Sequence, residues 1–390
     1  MIYFDNAATS WPKPMETKKE VWNVMEHYGA NPGRGAYLPA KKASEYMEQS
    51  RKEIAEFLGI SKPEHLIFTG GDTESSNVVL KGSIKAGDHV IFSSLEHNAT
   101  LRPLKAMEKR GVQLSLWKIS GRTEEDLEKL ESLIRNNTKM IVACHGSNVT
   151  GTLQHLKKIV SLAKNYGIMV FADMAQTAGI LNTSVEEIGV DFASYAGHKS
   201  LLGYGGIGLL YIKDPEFAEP LIHGGTGFMS HLLNQPKILP SGFEAGTRNM
   251  LGIGSLRGGI CYIRKRGMKT IWEHEQMLTD HFRKELKFLT QVRVYDPVSE
   301  ERLPVVSLNV ADYAPDDVAS YLSEQGEVCV RSGLHCAPEA HEEIGTLDRG
   351  TVRFSFGPFN TVSEVDRACD LLESIKKEGI PKRFFLSEPF

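Results

Sequence analysis

Seven short apolar runs, separated by amphipathic stretches, fill the first two-thirds of this chain and leave it few folds to choose from. They are "HLIFT" (65–69), "HVIFSS" (89–94), "VQLSLW" (112–117), "MIVACH" (140–145), "IMVFAD" (168–173), "DFASYA" (191–196) and "IGLLYI" (207–212). Each has the length and β-branched or aromatic content of a strand. The stretches between them are helical, as at 153–166, where Leu156, Ile159, Val160 and Ala163 fall on one face. Strands that alternate with helices predict an α/β domain with a mainly parallel, seven-stranded sheet covered on both faces. Ligands in such sheets bind beyond the carboxyl ends of the strands.

The texture changes near residue 250. A long helical stretch (252–290) precedes the alternating runs "VVSLNV" (305–310) and "TVRFSF" (351–356), with helices expected at 315–325 and 362–378. This reads as a smaller α+β domain. Pro12 and Pro14 make the first dozen residues an extended arm. At 390 residues the chain is long enough for two units. The expected division is a large domain over 16–250, and a small one formed by 1–15 with 251–390. No repeat or low-complexity segment interrupts them.

A formal net charge of -4 gives no reason to expect nucleic acid or a membrane surface as partner. The basic cluster Lys376, Lys377, Lys382 and Arg383 sits where a helix should finish and complements its C-terminus. No apolar run reaches the ~18 residues a membrane span needs, and the start "MIYFDNAATSWPKP" does not read as a secretory signal. The five cysteines, Cys144, Cys261, Cys329, Cys336 and Cys369, form no metal-type spacing and predict a reduced cytoplasm.

The chemistry gathers at strand ends. "SYAGHKSLLGYGGIG" (194–208) puts His198 and Lys199 after one strand and glycine-rich backbone after them. A buried lysine is costly unless its amine is used. Asp173 closes another strand, as a helix cap or as the holder of a positive charge. "FTGGDTESSN" (68–77) offers a glycine turn and a helix start, which make an anion cradle. A lysine for covalent attachment, an acid for a pyridinium nitrogen and a phosphate cradle are what pyridoxal 5'-phosphate (PLP) requires.

With these parts in view, the chain resembles the class V aminotransferase-like family of PLP fold type I enzymes, and within it the cysteine desulfurases and selenocysteine lyases. The resemblance rests on "YFDNAATS" (3–10), "NPGRGAY" (31–37), "FTGGDTES" (68–75), "EHNA" (96–99), "SNVTGT" (147–152), "ADMAQ" (172–176), "GHK" (197–199), "FEAGTRN" (243–249), "RSGLHCA" (331–337) and "VRFSFGPFNT" (352–361). It implies a homodimer with the active site at the subunit interface. Lys199 would carry the cofactor covalently, Asp173 would pair with the ring nitrogen, and Gln176 would contact the ring hydroxyl. His97 would stack on the ring and help to move protons. Thr73 and His198 would hold the phosphate, with Thr247 reaching in from the other subunit and Asp72 also in the cradle. Asn148 and Arg353 would bind the substrate carboxylate, with Ala8 beside them.

Cys336 matches the persulfide-forming cysteine of the desulfurases, and His335 beside it is expected to favour its thiolate. The arrangement resembles the branch with a short, ordered cysteine loop, which often passes sulfur to an acceptor protein. Cys144, Cys261, Cys329 and Cys369 are expected to be small buried hydrophobes. Three positions depart from the family pattern. Ala196 stands where a serine is common and Tyr204 where a proline is. Asp72 puts a carboxylate in a phosphate cradle, which would repel the ligand unless it turns away to cap the helix. The implied reaction converts L-cysteine, or L-selenocysteine, to L-alanine. The alternatives are a selenocysteine lyase or a class V aminotransferase on the same site, and a non-catalytic dimeric relative.

Overall fold

The computed structural model describes residues 1–33, 35–182, 184–296, 301–381 and 384. Arg34 of "NPGRGAY" and Lys382 and Arg383 of the basic cluster lie outside them. All seven apolar runs are strands of one sheet. Its spatial order is Leu66–Thr69, Gly208–Ile212, Phe192–Ala196, Met169–Asp173, Thr138–Cys144, His89–Ser93 and Gln113–Trp117. Gly208–Ile212 runs antiparallel to both neighbours, and every other pairing is parallel.

The runs are apolar at successive positions because each face of this sheet has its own core. Ile91, Ile141 and Val170 pack on one side, and Val90, Met140 and Phe171 on the other. Side chains alternate between faces along a strand, so a run buried on both faces loses the polar alternation of a half-exposed sheet. Each such side chain contributes ~1.5–3 kcal/mol through burial. Leu156–Asn165 is a helix that buries the four residues expected to face the sheet, Leu156, Ile159, Val160 and Ala163.

The helical stretch after residue 250 is two helices, Met250–Arg266 and Met268–Leu286, not one. Gly267 parts them at φ +86°, a left-handed turn that ends the first helix, with its N–H on the Ile263 carbonyl at 2.8 Å. Ile253, Leu256 and Ile260 of the first helix pack into the larger core, whereas Leu278, Phe282 and Leu286 of the second join the smaller one. The division expected at residue 250 therefore lies ahead of a helix that packs with the larger unit. Cys261 is exposed rather than buried, because Ile260 and Ile263 take the inward positions of its turn. Cys144 is buried, and Cys329 and Cys369 are half-buried.

The smaller unit is a four-stranded antiparallel sheet in the order Arg331–Gly333, Thr351–Ser355, Val305–Val310 and Val292–Val294. Helices Pro315–Gly326 and Val362–Glu378 accompany it, the second opened by a capping box between Thr361 and Glu364. Lys376 and Lys377 stand in its last turn. The N-terminal arm joins the two units. Ile2–Tyr3 pairs in parallel with Val328–Cys329 of the smaller one. Further along, Ser10 N and Lys13 Nζ donate to the His198 carbonyl at 3.0 and 2.8 Å, and Ser10 Oγ donates to the Lys199 carbonyl at 2.9 Å.

Candidate active site

A cavity of about 690 Å³ opens at the carboxyl ends of the parallel strands. Ala8, Asp72, Thr73, His97, Asn148, Asp173, Gln176, His198, Lys199 and Arg353 all line it. Lys199 enters from the turn after Phe192–Ala196, and Asp173 is the last residue of the strand beside it. The glycines explain how the cradle comes so near. A Cβ on Gly208 would lie 2.5 Å from the carbonyl carbon of Gly71, so only glycine lets this strand pass beneath the cradle turn. Thr247 lies apart within a single chain, lining a separate cavity of about 280 Å³ with Gly225, Thr226 and Glu244.

Burial drives the electrostatics. It lowers the pKa of Lys199, while the carboxylates of Asp173 and Asp72 pull it back up. Burial likewise lifts Asp173 well above the usual carboxylate range, with the Asp72 charge adding to the rise. Asp173 Oδ1 accepts from Ala175 N at 2.9 Å, which fixes the carboxyl plane and leaves its other oxygen to the cavity. Gln176 Nε2 is tied to the Ala7 carbonyl at 2.9 Å, joining the arm to this wall.

His97 caps the helix Asn98–Glu108, its Nδ1 accepting from Ala99 N at 3.0 Å. That bond assigns the neutral ring's proton to Nε2. Burial, then the nearby Lys199 cation, pushes its pKa down to about 3, so the ring is neutral at working pH. Burial brings His198 to about 4. Behind His97, Glu96 is sealed in, with Oε1 accepting from Cys144 N at 2.6 Å and Ser93 Oγ at 2.7 Å. Burial lifts its carboxyl to about 7.

Asp72 does not cap its helix. Gly71 is the N-cap of Asp72–Ser83, with no side-chain cap bond, and the Asp72 carboxyl turns inward. Its Oδ1 is closed off from solvent without a hydrogen-bond partner, and so is Ser194 Oγ beside it. The helix N-terminus is thereby left open for an anion.

The smaller unit supplies the opposite wall. Arg353 is 1% exposed. Its Nη2 donates to Asp5 Oδ1 at 2.7 Å and its Nη1 to the Asn148 carbonyl at 3.2 Å, while Nε has no partner among the described residues. Asn148 Nδ2 donates to the His335 carbonyl at 2.7 Å and so grips the cysteine loop. Asn98 N holds the Cys336 carbonyl at 2.7 Å. Cys336 and His335 both have left-handed backbones, at φ +59° and +49°. Non-glycine residues rarely adopt this conformation, which these flanking bonds impose here.

His335 does not serve the thiol as expected. It is buried, its Nε2 bonded to Thr351 Oγ1 at 2.9 Å, and burial holds it well below the usual histidine range and uncharged. The positive group at the sulfur is Arg331, whose Nη2 lies 3.6 Å from Cys336 Sγ. Arg331 also lines the cavity and sits directly opposite Arg353 in the sheet register. Sequence reasoning missed it, because its place opposite Arg353 is set by the register between two strands, which the alternation along either strand alone does not reveal.

A family model described as Aminotransferase class-V matches residues 2–368. Among curated proteins, a probable cysteine desulfurase of Methanothermobacter thermautotrophicus is 32% identical over 97% of this chain and 95% of its own length. Another, of Pyrococcus abyssi, is 34% identical over 97% of this chain and 94% of its own. Among solved structures, the apo cysteine desulfurase of Thermococcus onnurineus NA1 superposes with a TM-score of 0.90 at 33% identity, covering 96% of this chain and 94% of that one.

Proposed function

The chain belongs to the class-V aminotransferase family, and from that premise we propose that it is a cysteine desulfurase that uses pyridoxal phosphate in the cavity around Lys199. The net reaction is L-cysteine plus the Cys336 thiol giving L-alanine plus a Cys336 persulfide. One observation carries this reading: the Cys336 thiol lies 3.6 Å from Arg331, whose side chain lines the cavity that holds a lysine amine and a buried acid. The architecture is that of PLP fold type I, a mostly parallel sheet with a C-terminal α+β unit.

The donor set suits the cofactor. Lys199 would hold its aldehyde, Asp173 its ring nitrogen and His97 its ring face, with Gln176 at the ring hydroxyl. The open helix N-terminus, Thr73 and His198 would hold its phosphate. The Gly71–Asp72 turn, which only a glycine at 208 lets come this near, lines the same cavity as Lys199 and Asp173. When bound, the cofactor draws electrons from the substrate Cα and so loosens first its C–H bond and then its Cβ–S bond.

The chain's own groups do the rest. Arg353 and Asn148 orient the substrate carboxylate from the smaller unit, with Ala8 at their side. The Lys199 amine, disfavoured as a cation by burial, takes the Cα proton once the substrate has displaced it. His97, neutral with Nδ1 engaged by Ala99 N and its proton on Nε2, can donate a hydrogen bond from Nε2 into the cavity without adding charge there. Cys336 Sγ then attacks the substrate sulfur, and the electrons of the broken C–S bond pass to the carbon that becomes the alanine methyl group.

A second copy would complete the site. Leu233 is fully exposed, with Ile222, Phe228 and Leu232 also exposed along the same stretch. Such a patch supports a homodimer in which the partner subunit's Thr247 reaches the phosphate. The five cysteines are free, in keeping with a reducing, cytoplasmic setting, and an acceptor protein would collect the persulfide sulfur. No helix among the described residues is long and apolar enough to cross a membrane. Incubation with L-cysteine and a thiol reductant tests the reading. Equimolar alanine and sulfide without a keto acid support it, and a strict requirement for a keto acid would replace it with aminotransfer.

A further inference from the structure

Asp72 is the feature of the cavity that the reaction does not use. It occupies the first position of the helix Asp72–Ser83, where the unclaimed backbone N–H groups and the helix dipole draw an anion. Its Oδ1 is shut away from water with no partner, and the wholly buried Ser194 Oγ next to it is equally unsatisfied. The two lie close enough for the hydroxyl to favour the carboxylate, yet neither completes a hydrogen bond. Two orphaned polar atoms side by side in a closed wall are rare unless something is missing. A water-filled surface would have solvated them.

The charged groups that face Asp72 come from each element packed on it. Burial raises the pKa of Asp72, and Lys199, from the turn after Phe192–Ala196, works against that by favouring its ionised form. Asp173 and Glu96, from the neighbouring strand ends, are like-charged neighbours, each pushed up by Asp72. Glu74, on the same helix, is turned back onto Gly70 N at 2.6 Å. His97 and His198 carry no charge at working pH. Thus, among the described residues, the only cation favouring an ionised Asp72 is the amine that covalent attachment consumes. A phosphate monoester arriving at the helix N-terminus would then face a second anion in the same wall.

We propose that Asp72 takes up one proton from solvent as the phosphate monoester of the cofactor enters, so that the cradle accepts its anion only with a neutral carboxyl in the wall. This rests on the cofactor reading above and concerns a residue to which that reading gives no catalytic role. Retention of the cofactor is therefore proton-linked, and it weakens as pH rises. A hydroxyl or small neutral side chain at this position would carry no such linkage.

The test titrates the full-length, cofactor-stripped chain with pyridoxal phosphate, read by absorbance, from about pH 6.5 to about pH 8.5. Wild type, Asp72→Asn and Asp72→Ser are compared, so that ionisations of the cofactor itself cancel. The wild-type dissociation constant should climb more steeply than that of either variant, by up to ~10-fold per pH unit. Calorimetry in two buffers of different ionisation enthalpy should show one more proton taken up by wild type than by Asp72→Asn. With pyridoxal, which lacks the phosphate, the difference between wild type and variants should vanish. Parallel pH profiles, or a difference that persists with pyridoxal, would overturn the proposal. If pyridoxal phosphate binds to none of the three proteins, the cofactor reading itself is refuted, and this inference with it.

Discussion

Replacing Arg353 with lysine offers the sharpest test of how the cavity recognises its substrate. The guanidinium is 1% exposed and already makes bonds to Asp5 Oδ1 (2.7 Å) and the Asn148 carbonyl (3.2 Å). These two leave one N–H on each nitrogen, including the orphaned Nε, for an incoming carboxylate. Two charge-assisted bonds from a planar fork are worth ~1.5–3 kcal/mol each. Lysine keeps the charge and its compact ammonium replaces one of those bonds, so one is lost, which is ~10- to 150-fold in kcat/KM for L-cysteine. The control is cysteamine, which has the thiol and amine but no carboxylate. Its turnover should change less than ~3-fold, so that the cysteine-to-cysteamine preference collapses by the factor just given. An equal loss on both substrates would refute the argument, because Arg353 would then be supporting the sheet or Asp5 rather than reading a carboxylate.

Other perturbations reach the remaining parts. Cys336→Ala should abolish sulfide release from L-cysteine while the protein keeps its cofactor colour; surviving desulfuration would rule out the persulfide route. Glu96→Gln removes a carboxyl whose pKa burial raises to about 7, so between the unfolded value and about 7 the folded chain holds a proton that the unfolded chain has lost. Glu96 should therefore contribute a fall of roughly 3 kcal/mol in wild-type stability as pH rises through that window, and urea titrations should show the wild-type curve dropping by about that much relative to the Glu96→Gln curve. Leu233→Asp places a charge in the exposed apolar patch and should convert dimers to monomers in analytical ultracentrifugation, with loss of activity; an unchanged dimer would move the interface elsewhere.

The sheet was legible because its strands are apolar at successive positions, a pattern that only burial on both faces sustains. Its helices followed from one-sided periodicity, as at Leu156–Asn165. The break at Gly267 was not, since a lone glycine inside a helical pattern is often tolerated and only the backbone angle here makes it a terminus. The strand-end residues could be found because parallel sheets collect ligands there, and the sequence order of Asp173, His198 and Lys199 put them on neighbouring strands. Harder to read were effects that depend on partners far along the chain. His335 looked like the natural companion of Cys336 by adjacency, yet Thr351 claims it and burial strips its charge. Arg331, five residues away, reaches the sulfur because the chain reverses between them. Asp72 suggested a cap by its position, and nothing local indicates that it turns inward.

The division of labour across the cavity has a mechanical consequence. The larger unit contributes Lys199, Asp173, Asp72 and His97, and the smaller unit contributes both arginines and the thiol. Arg331 and Arg353 stand opposite each other on adjacent strands, an arrangement of like charges that costs stability and that Arg353 registers as a lowered pKa, mainly through burial. Asp5 of the arm offsets part of that cost, and the same arm holds the carbonyls of His198 and Lys199. The two walls therefore meet through a short extended segment as well as through direct packing. A shift of the smaller unit would move the carboxylate clamp and the nucleophile together, since Arg331 touches the sulfur and is paired with the strand of Arg353. The lysine and its acid, fixed to strand ends of the larger sheet, would stay in place. Under the proposed function, substrate selection and sulfur transfer would thus be coupled to each other, and both could vary without disturbing the groups that would retain the cofactor.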